Sequence, residues 1–384
     1  MNRIYLDYAA TTPVRPEVID AMTRAMETVP GNPSSIYTTG RLAKYQLTQA
    51  RDELAAVLGV PGNELIFTSG GTEADNLAIK GLALANQHKG RHIITSQVEH
   101  KAVLDSCHRL QEWGFEVTYL PTDKWGLVDP EVLRAALRPD TILVSLIWVN
   151  NELGSVNPIA ELGKVVQQHG ALFHTDAVQS LGRLTINAGN LPVNALSVSA
   201  HKIYGPKGVG ALWLRKGTAL QPLVEGGAQE SNLRGGTENL PGIVGFATAA
   251  RLIEKERSAR WAEEQALMDD LRRELAEIPG VRINTHPEQR VPTILNISIP
   301  HVDGESLFIN LDLASVAVSN GSACTSGAQQ PSSVLTAIGL PDDLARATIR
   351  ISIGRETTRE TLGSFTEILK REVHKLQKKS KAIA

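Results

Sequence analysis

Leu172-Phe173-His174-Thr175-Asp176-Ala177-Val178-Gln179 and Val198-Ser199-Ala200-His201-Lys202 each pass abruptly from a short apolar, strand-like run into polar residues. In an open α/β sheet that change marks the carboxyl end of a strand, which is where ligands bind. A lysine at the end of a buried strand is costly unless its amine is neutralised, paired or covalently engaged. A desolvated lysine amine is also the nucleophile that carbonyl cofactors require. Lys202 fits that description, and pyridoxal phosphate is a cofactor that would use it. That cofactor also needs a carboxylate on its ring nitrogen, for which Asp176 on a neighbouring strand is a candidate. From these two residues alone, a surface ion pair near two strand ends reads the same way.

Working outward, strands and helices alternate in the rhythm of a parallel, doubly wound sheet. Strand-like Leu65-Ile66-Phe67-Thr68 leads through Ser69-Gly70-Gly71-Thr72 into a helix over 73–87, and further strand–helix pairs follow at 92–95 and 101–113, 115–120 and 130–137, 141–149 and 158–169. Strands at 171–175 and 210–214 continue the pattern, and a largely helical, charge-rich stretch from Thr237 to about Ile278 bridges to a second unit. There the pattern restarts with strands at 293–299, 316–318 and 348–353 and helices between and after them. The fold class expected is α/β, with a large domain at 14–257 built on a mainly parallel doubly wound sheet and a smaller α+β domain at 1–13 and 258–384. At 384 residues the chain exceeds the usual size of a single core, which favours two domains.

With 42% hydrophobic and 21% charged residues the composition is that of an ordinary globular protein. The formal net charge of −2 offers no general attraction to nucleic acid or to an anionic membrane. The basic tail from Lys370 to Lys381 suits the solvated end of a helix. No apolar run reaches the roughly 18 residues of a membrane span, and the first residues do not resemble a leader. Two cysteines, Cys107 and Cys324, exclude a disulfide framework and a cysteine-based zinc site. A reducing, cytoplasmic setting is expected, and no metal site.

Several residues could carry chemistry. Gly71 and Thr72 lie in a strand–turn–helix junction whose free N–H groups could cradle a phosphate or simply cap a helix. His100, just past a strand end, could stack on an aromatic cofactor and shuttle protons. Arg350 lies in an alternating strand, where its fork would suit a carboxylate or else face solvent. Cys107 shares a helical face with Val103, Leu104 and Leu110, as a small core residue would. Cys324 lies among glycines and small residues, where an exposed thiol has no packing role.

Ser199-Ala200-His201-Lys202 with Gly205-Pro206-Lys207-Gly208, and His174 through Gln179, resemble the cofactor site of fold type I pyridoxal-phosphate enzymes, more narrowly the class V aminotransferase branch. Tyr5 to Pro13, Thr68 to Asn76, Val98 to Val103, Val149 to Gly154 and Gly321-Ser322-Ala323-Cys324 resemble cysteine desulfurases of the NifS and IscS type. The resemblance implies that Lys202 tethers the cofactor, Asp176 pairs with its ring nitrogen, His100 stacks on the ring and assists proton transfer, and Gln179 bonds its phenolic oxygen. Gly71, Thr72, Ser199 and His201 would hold the phosphate, with Thr237 reaching in from the second subunit of a homodimer. Asn151 would line the cofactor site and, with Arg350 and Asn32, take the carboxylate of L-cysteine. Cys324, in a segment from Ser319 to Pro331 long enough for the group that includes NifS and IscS, would receive the sulfur as a persulfide and deliver it to an acceptor such as an iron-sulfur scaffold. Ile147-Trp148 and Glu225 to Asn232 depart from the pattern, the latter in the loop that would face the partner subunit. A selenocysteine lyase or another class V enzyme independent of Cys324, and a non-catalytic scaffold, are the alternatives.

Overall fold

The computed structural model describes residues 3–320 and 331–383; Cys324 lies outside them. In chain order the elements are β1 (Ile4–Tyr5), α1 (Pro16–Thr28), α2 (Thr38–Leu58), β2 (Leu65–Thr68), α3 (Gly71–Asn86), β3 (His92–Ser96), α4 (Lys101–Glu112), β4 (Glu116–Leu120), α5 (Pro130–Ala136), β5 (Thr141–Ile147), α6 (Ile159–His169), β6 (Leu172–Asp176), β7 (Ala195–Ser199) and β8 (Gly210–Leu214). They continue with α7 (Leu240–Ala276), β9 (Arg282–Ile283), β10 (Ile294–Ser298), α8 (Gly304–Leu313), β11 (Val316–Ala317), α9 (Ser333–Ala337), α10 (Asp342–Arg346), β12 (Thr348–Ser352) and α11 (Arg359–Ile383).

One sheet dominates, in the order β2-β8-β7-β6-β5-β3-β4. Every residue of β2, β3, β5, β7 and β8 is buried, which explains why those strands read as unbroken apolar runs rather than alternating ones. All neighbouring pairs are parallel except those of β8, which runs antiparallel to both β2 and β7. A wholly parallel arrangement would need a crossover of a dozen or more residues between β7 and β8. The link from Ala200 to Val209 is shorter, so the chain turns back. That short link carries Lys202 and holds it at the carboxyl edge of the parallel strands.

The remaining strands form a second, smaller system. β12, β10 and β9 make an antiparallel sheet, β1 pairs with β11 in parallel, and Asp7 bridges to Ser352. α7 serves both systems. Its first half buries Ile243, Phe246, Ala250 and Ile253 against the large core, and its second half buries Leu267, Met268, Leu271 and Leu275 against the small one. β9 and α10 were not anticipated from sequence, since a two-residue strand and a five-residue helix carry almost no periodic signal.

Phe365 of α11 is fully buried in the small core. Phe365→Ala should destabilise by about 3–5 kcal/mol, seen as a lowered urea midpoint; an unchanged midpoint would mean that α11 does not pack as described.

Candidate active site

Lys202 follows β7 on a short 3-10 turn, with its Nζ donating to the carbonyls of Ala9 at 2.8 Å and Ala10 at 2.7 Å. The amine is pushed down to about 8 by burial, with the Arg350 and Arg183 guanidinium groups adding to the shift. It forms no ion pair with Asp176 among the described residues, and Asp176 is 4% exposed, so the surface-pair reading fails. The carbonyls that hold the amine belong to a segment pinned on both sides. Gln179 Nε2 donates to Ala9 O at 2.8 Å, Ala9 N to Ser352 Oγ at 2.9 Å, and Thr12 N and Oγ1 to His201 O at 3.0 Å.

Asp176 ends β6, accepting from the N–H of Val178 at 2.9 Å, and burial raises its pKa. Two more buried carboxylates, Glu99 and Asp75, have no ion pair with a lysine or arginine among the described residues. Glu99 accepts from Ser96 Oγ at 2.6 Å and from Ile147 N at 3.0 Å, and burial pushes it to about 8. Asp75 is likewise raised by burial and by Asp176. His174 lies between the hydroxyls of Ser145 and Ser197, both at 2.9 Å, and burial drops it to about 3, so it is neutral. Charges this close in a dry interior cannot all ionise, and Asp176, nearest the solvent side of the group, is the carboxylate a ring cation would ionise.

His100 is the N-cap of α4, with Nδ1 accepting from the N–H of Ala102 at 3.1 Å. The bond makes Nδ1 the bare nitrogen and leaves the ring proton on Nε2. Burial lowers its pKa and favours that neutral form.

The turn between β2 and α3 is built for close approach. A Cβ on Gly71 would come within 2.7 Å of Val178 Cγ2, beside Ser199. α3 starts there, two residues earlier than the sequence pattern suggested, and its first turn has no side-chain cap. Its leading N–H groups are therefore left for an anion. Thr72 is exposed in this turn, Ser199 Oγ is buried without a partner, and His201, lowered to about 4 by burial, meets Thr11 Oγ1 at 3.2 Å.

Arg350 is buried, not solvent-facing. Its Nη2 bonds Asp7 Oδ1 at 2.7 Å and its Nη1 bonds Asn151 O at 2.9 Å, while Nε and Asn151 Oδ1 are buried without partners among the described residues. Asn32 is exposed, its Oδ1 accepting from Ser34 N at 2.9 Å, and no hydrogen bond among the described residues joins it to Arg350 or Asn151. Ser319 exchanges backbone hydrogen bonds of 2.6 and 3.2 Å with Arg350, and Ser332 Oγ donates to Glu152 Oε2 at 2.6 Å. Both ends of the thiol-bearing segment are thus tied to this rim. Cys107 packs with Val103 and Leu110, its thiol pushed up to about 12 by burial.

Thr237 is exposed near the end of a loop that holds three successive non-glycine residues with left-handed backbone, Glu230, Ser231 and Asn232. Each such residue costs about 1–2 kcal/mol.

The sequence profile described as Aminotransferase class-V matches residues 4–365. The chain belongs to the class-V aminotransferase family. Within that family it is 48% identical over 377 residues to a cysteine desulfurase IscS of Dictyoglomus turgidum, covering 98% of this chain and 96% of the relative. A solved NifS-like protein superposes with a TM-score of 0.92 at 36% identity, covering 97% of this chain and all of that one. A solved SspA in complex with cysteine gives 0.81 at 38% identity over 91% of this chain and 98% of that one. The fold is that of type I pyridoxal-phosphate enzymes, and class-V aminotransferases use that cofactor. The chain's residues fit it, since the buried orphaned atoms Ser199 Oγ, Gln179 Oε1, Asn151 Oδ1 and Arg350 Nε belong to residues expected at the site, and the uncapped α3 is shaped by Gly71.

Sequence reasoning missed Arg183, whose buried guanidinium donates to Thr293 Oγ1 and Gln179 O and lines, with Glu264, a small cavity of about 30 Å³ that Lys202 also lines. It missed the carbonyls of Ala9 and Ala10 as well, because backbone acceptors leave no residue-type signal. Asp7 could have been found, as the only acid in the first 16 residues, four positions before two threonines.

Arg183→Met should raise the pKa of Lys202 above 8, since it removes a neighbouring cation. The pH dependence of amine modification in cofactor-free protein measures this, and an unmoved midpoint would show that Arg183 does not act on the amine. Gly71→Ala should weaken cofactor binding by forcing Val178 away, as read by equilibrium dialysis.

Proposed function

We propose that the chain is a cysteine desulfurase that takes sulfur from L-cysteine, leaves L-alanine, and carries the sulfur on Cys324 as a persulfide. The observation that carries this reading is one rim shared by the Lys202 amine and the buried Arg350 fork, with Ser319 and Ser332 both fastened to it. Cys324 is five residues from Ser319, a span of at most about 18 Å when extended, and this reading asks no more reach of the chain than that. The bound cofactor supplies an electron sink for the carbon beside the substrate carboxylate.

Lys202 would tether the cofactor, its lowered pKa making the neutral amine available near neutral pH. Asp176 would hold the ring nitrogen protonated, and the second Nε2–H of Gln179 would meet the phenolic oxygen. His100 would stack on the ring and offer the proton of Nε2. The α3 N-terminus at Gly71 and Thr72, with Ser199 and His201, would take the phosphate, joined by Thr237 of the partner subunit in a homodimer. Arg350 and Asn151 would take the substrate carboxylate, with Asn32 closing over it from an exposed turn. At Cys324 an S–S bond forms as the substrate C–S bond breaks. The electron pair stays with carbon, which takes up a proton equivalent to the one the thiol gives up, so no outside oxidant or reductant is needed.

The large domain would comprise 14–257 and the small one 1–13 with 258–384, a division supported by the change of core along α7 between Ile253 and Leu267. Delivery to an acceptor protein such as an iron-sulfur scaffold, in the cytoplasm, completes the reading.

Incubation with L-cysteine followed by intact-mass and peptide analysis should find one added sulfur on Cys324 and one equivalent of alanine. Full sulfide release by Cys324→Ala would instead favour a selenocysteine lyase or another class-V reaction. Lys202→Ala should abolish the cofactor's absorbance near the visible edge, and its persistence would remove the lysine from its role.

A further inference from the structure

Glu230, Ser231 and Asn232 have φ angles of 44°, 59° and 64°. L-residues visit this region singly, seldom in runs, and none of the three is glycine. A run of this kind persists only where its surroundings over-determine it.

The side chain of Glu230 provides that restraint. It is 2% exposed, and its Oε1 meets Arg51 Nη2 at 2.6 Å. Its Oε2 accepts from the N–H of Phe67 at 2.9 Å. β2 is the edge of the large sheet, so this N–H points off the ladder and the carboxylate caps it. Arg51 is fixed in turn, donating to Leu65 O at 2.7 Å and lying 4.7 Å over the Phe67 ring. On the far side of the run, Arg234 pairs with Glu73 at 2.8 Å, in the first turn of α3. Gly236 N donates to Gln229 Oε1 at 3.1 Å, and Thr237 follows, exposed. The loop is therefore anchored to the phosphate turn of its own subunit and leaves Thr237 facing outward.

We propose that Glu230 is a positioning residue for the cofactor's phosphate: its buried carboxylate clamps the left-handed run and thereby fixes the path that presents Thr237 to the partner subunit's site. This rests on the reading of Thr237 as a phosphate ligand across a homodimer. Glu230 touches neither cofactor nor substrate. The strain in the run works against the clamp, so weakening one exposes the other.

The test compares binding of pyridoxal phosphate and of pyridoxal, which lacks the phosphate, to the full-length dimer after removal of its cofactor. Glu230→Gln should weaken pyridoxal phosphate by about tenfold, as expected for loss of a charge-assisted bond, and leave pyridoxal within about twofold. Arg51→Met should act in the same direction while sparing the bond to Phe67 N. Adding Ser231→Gly and Asn232→Gly to Glu230→Gln should recover most of the lost phosphate preference, because glycine adopts the run without strain. A purely structural role for Glu230 would lower both ligands together and gain nothing from the glycines, which would overturn the proposal. Thr237→Ala separates the two levels of inference. If it loses the phosphate preference while Glu230→Gln keeps it, the clamp is wrong and the Thr237 reading stands; if it keeps the preference, that reading falls and the clamp with it.

Discussion

Two backbone carbonyls, those of Ala9 and Ala10, hold the amine of Lys202, and the segment they belong to joins the two sheets. β1 lies beside β11 in the small system, Asp7 reaches Arg350 and Ser352 of β12, and within a few residues Ala9 and Thr12 are bonded to Gln179 and His201 in the large one. Chemistry between a bound ligand and a fixed side chain needs their spacing set within a fraction of an ångström, and the same segment spaces the Arg350 guanidinium from the Lys202 amine. Here one short thread joins them, through the main-chain oxygens of Ala9 and Ala10 and the carboxylate of Asp7.

Burial does the rest of the tuning. The same low-dielectric interior that lifts Glu99 and Asp75 toward neutrality lowers Lys202 and His174. Groups of either sign are moved toward their uncharged forms, Asp176 among them, so the site keeps little charge of its own. Arg350 pairs with Asp7, and its Nε is buried with no hydrogen-bond partner among the described residues, a donor already desolvated.

Much of this was legible in the residues. Continuous apolar runs located β2, β3, β5 and β8 to within one or two positions because those strands are buried on both faces, and the strand-to-polar transitions at Asp176 and Lys202 located the site's edge. The reversal at β8 was legible only as a connection too short for a crossover. Arg350 read equally as buried or exposed, since alternation shows that a face differs but not which face is covered. The contacts of Ala9 and Ala10 with Lys202, and of Arg183 with Thr293, join residues more than 100 positions apart, and pattern within a window cannot register them. Glu225 to Asn232 stood out only as an unusual loop, because the φ values that give it meaning are a property of what Glu230 is fastened to.

The capping bond from Ala102 to His100 reaches beyond helix stability. An imidazole free to rotate can present either nitrogen and change from acid to base by turning over. Turning this ring over would uncap a twelve-residue helix at a cost of about 1 kcal/mol, so its hydrogen is biased one way before any ligand arrives. The start of a helix thereby fixes which nitrogen of an imidazole is the donor, a choice that a freely rotating ring leaves open.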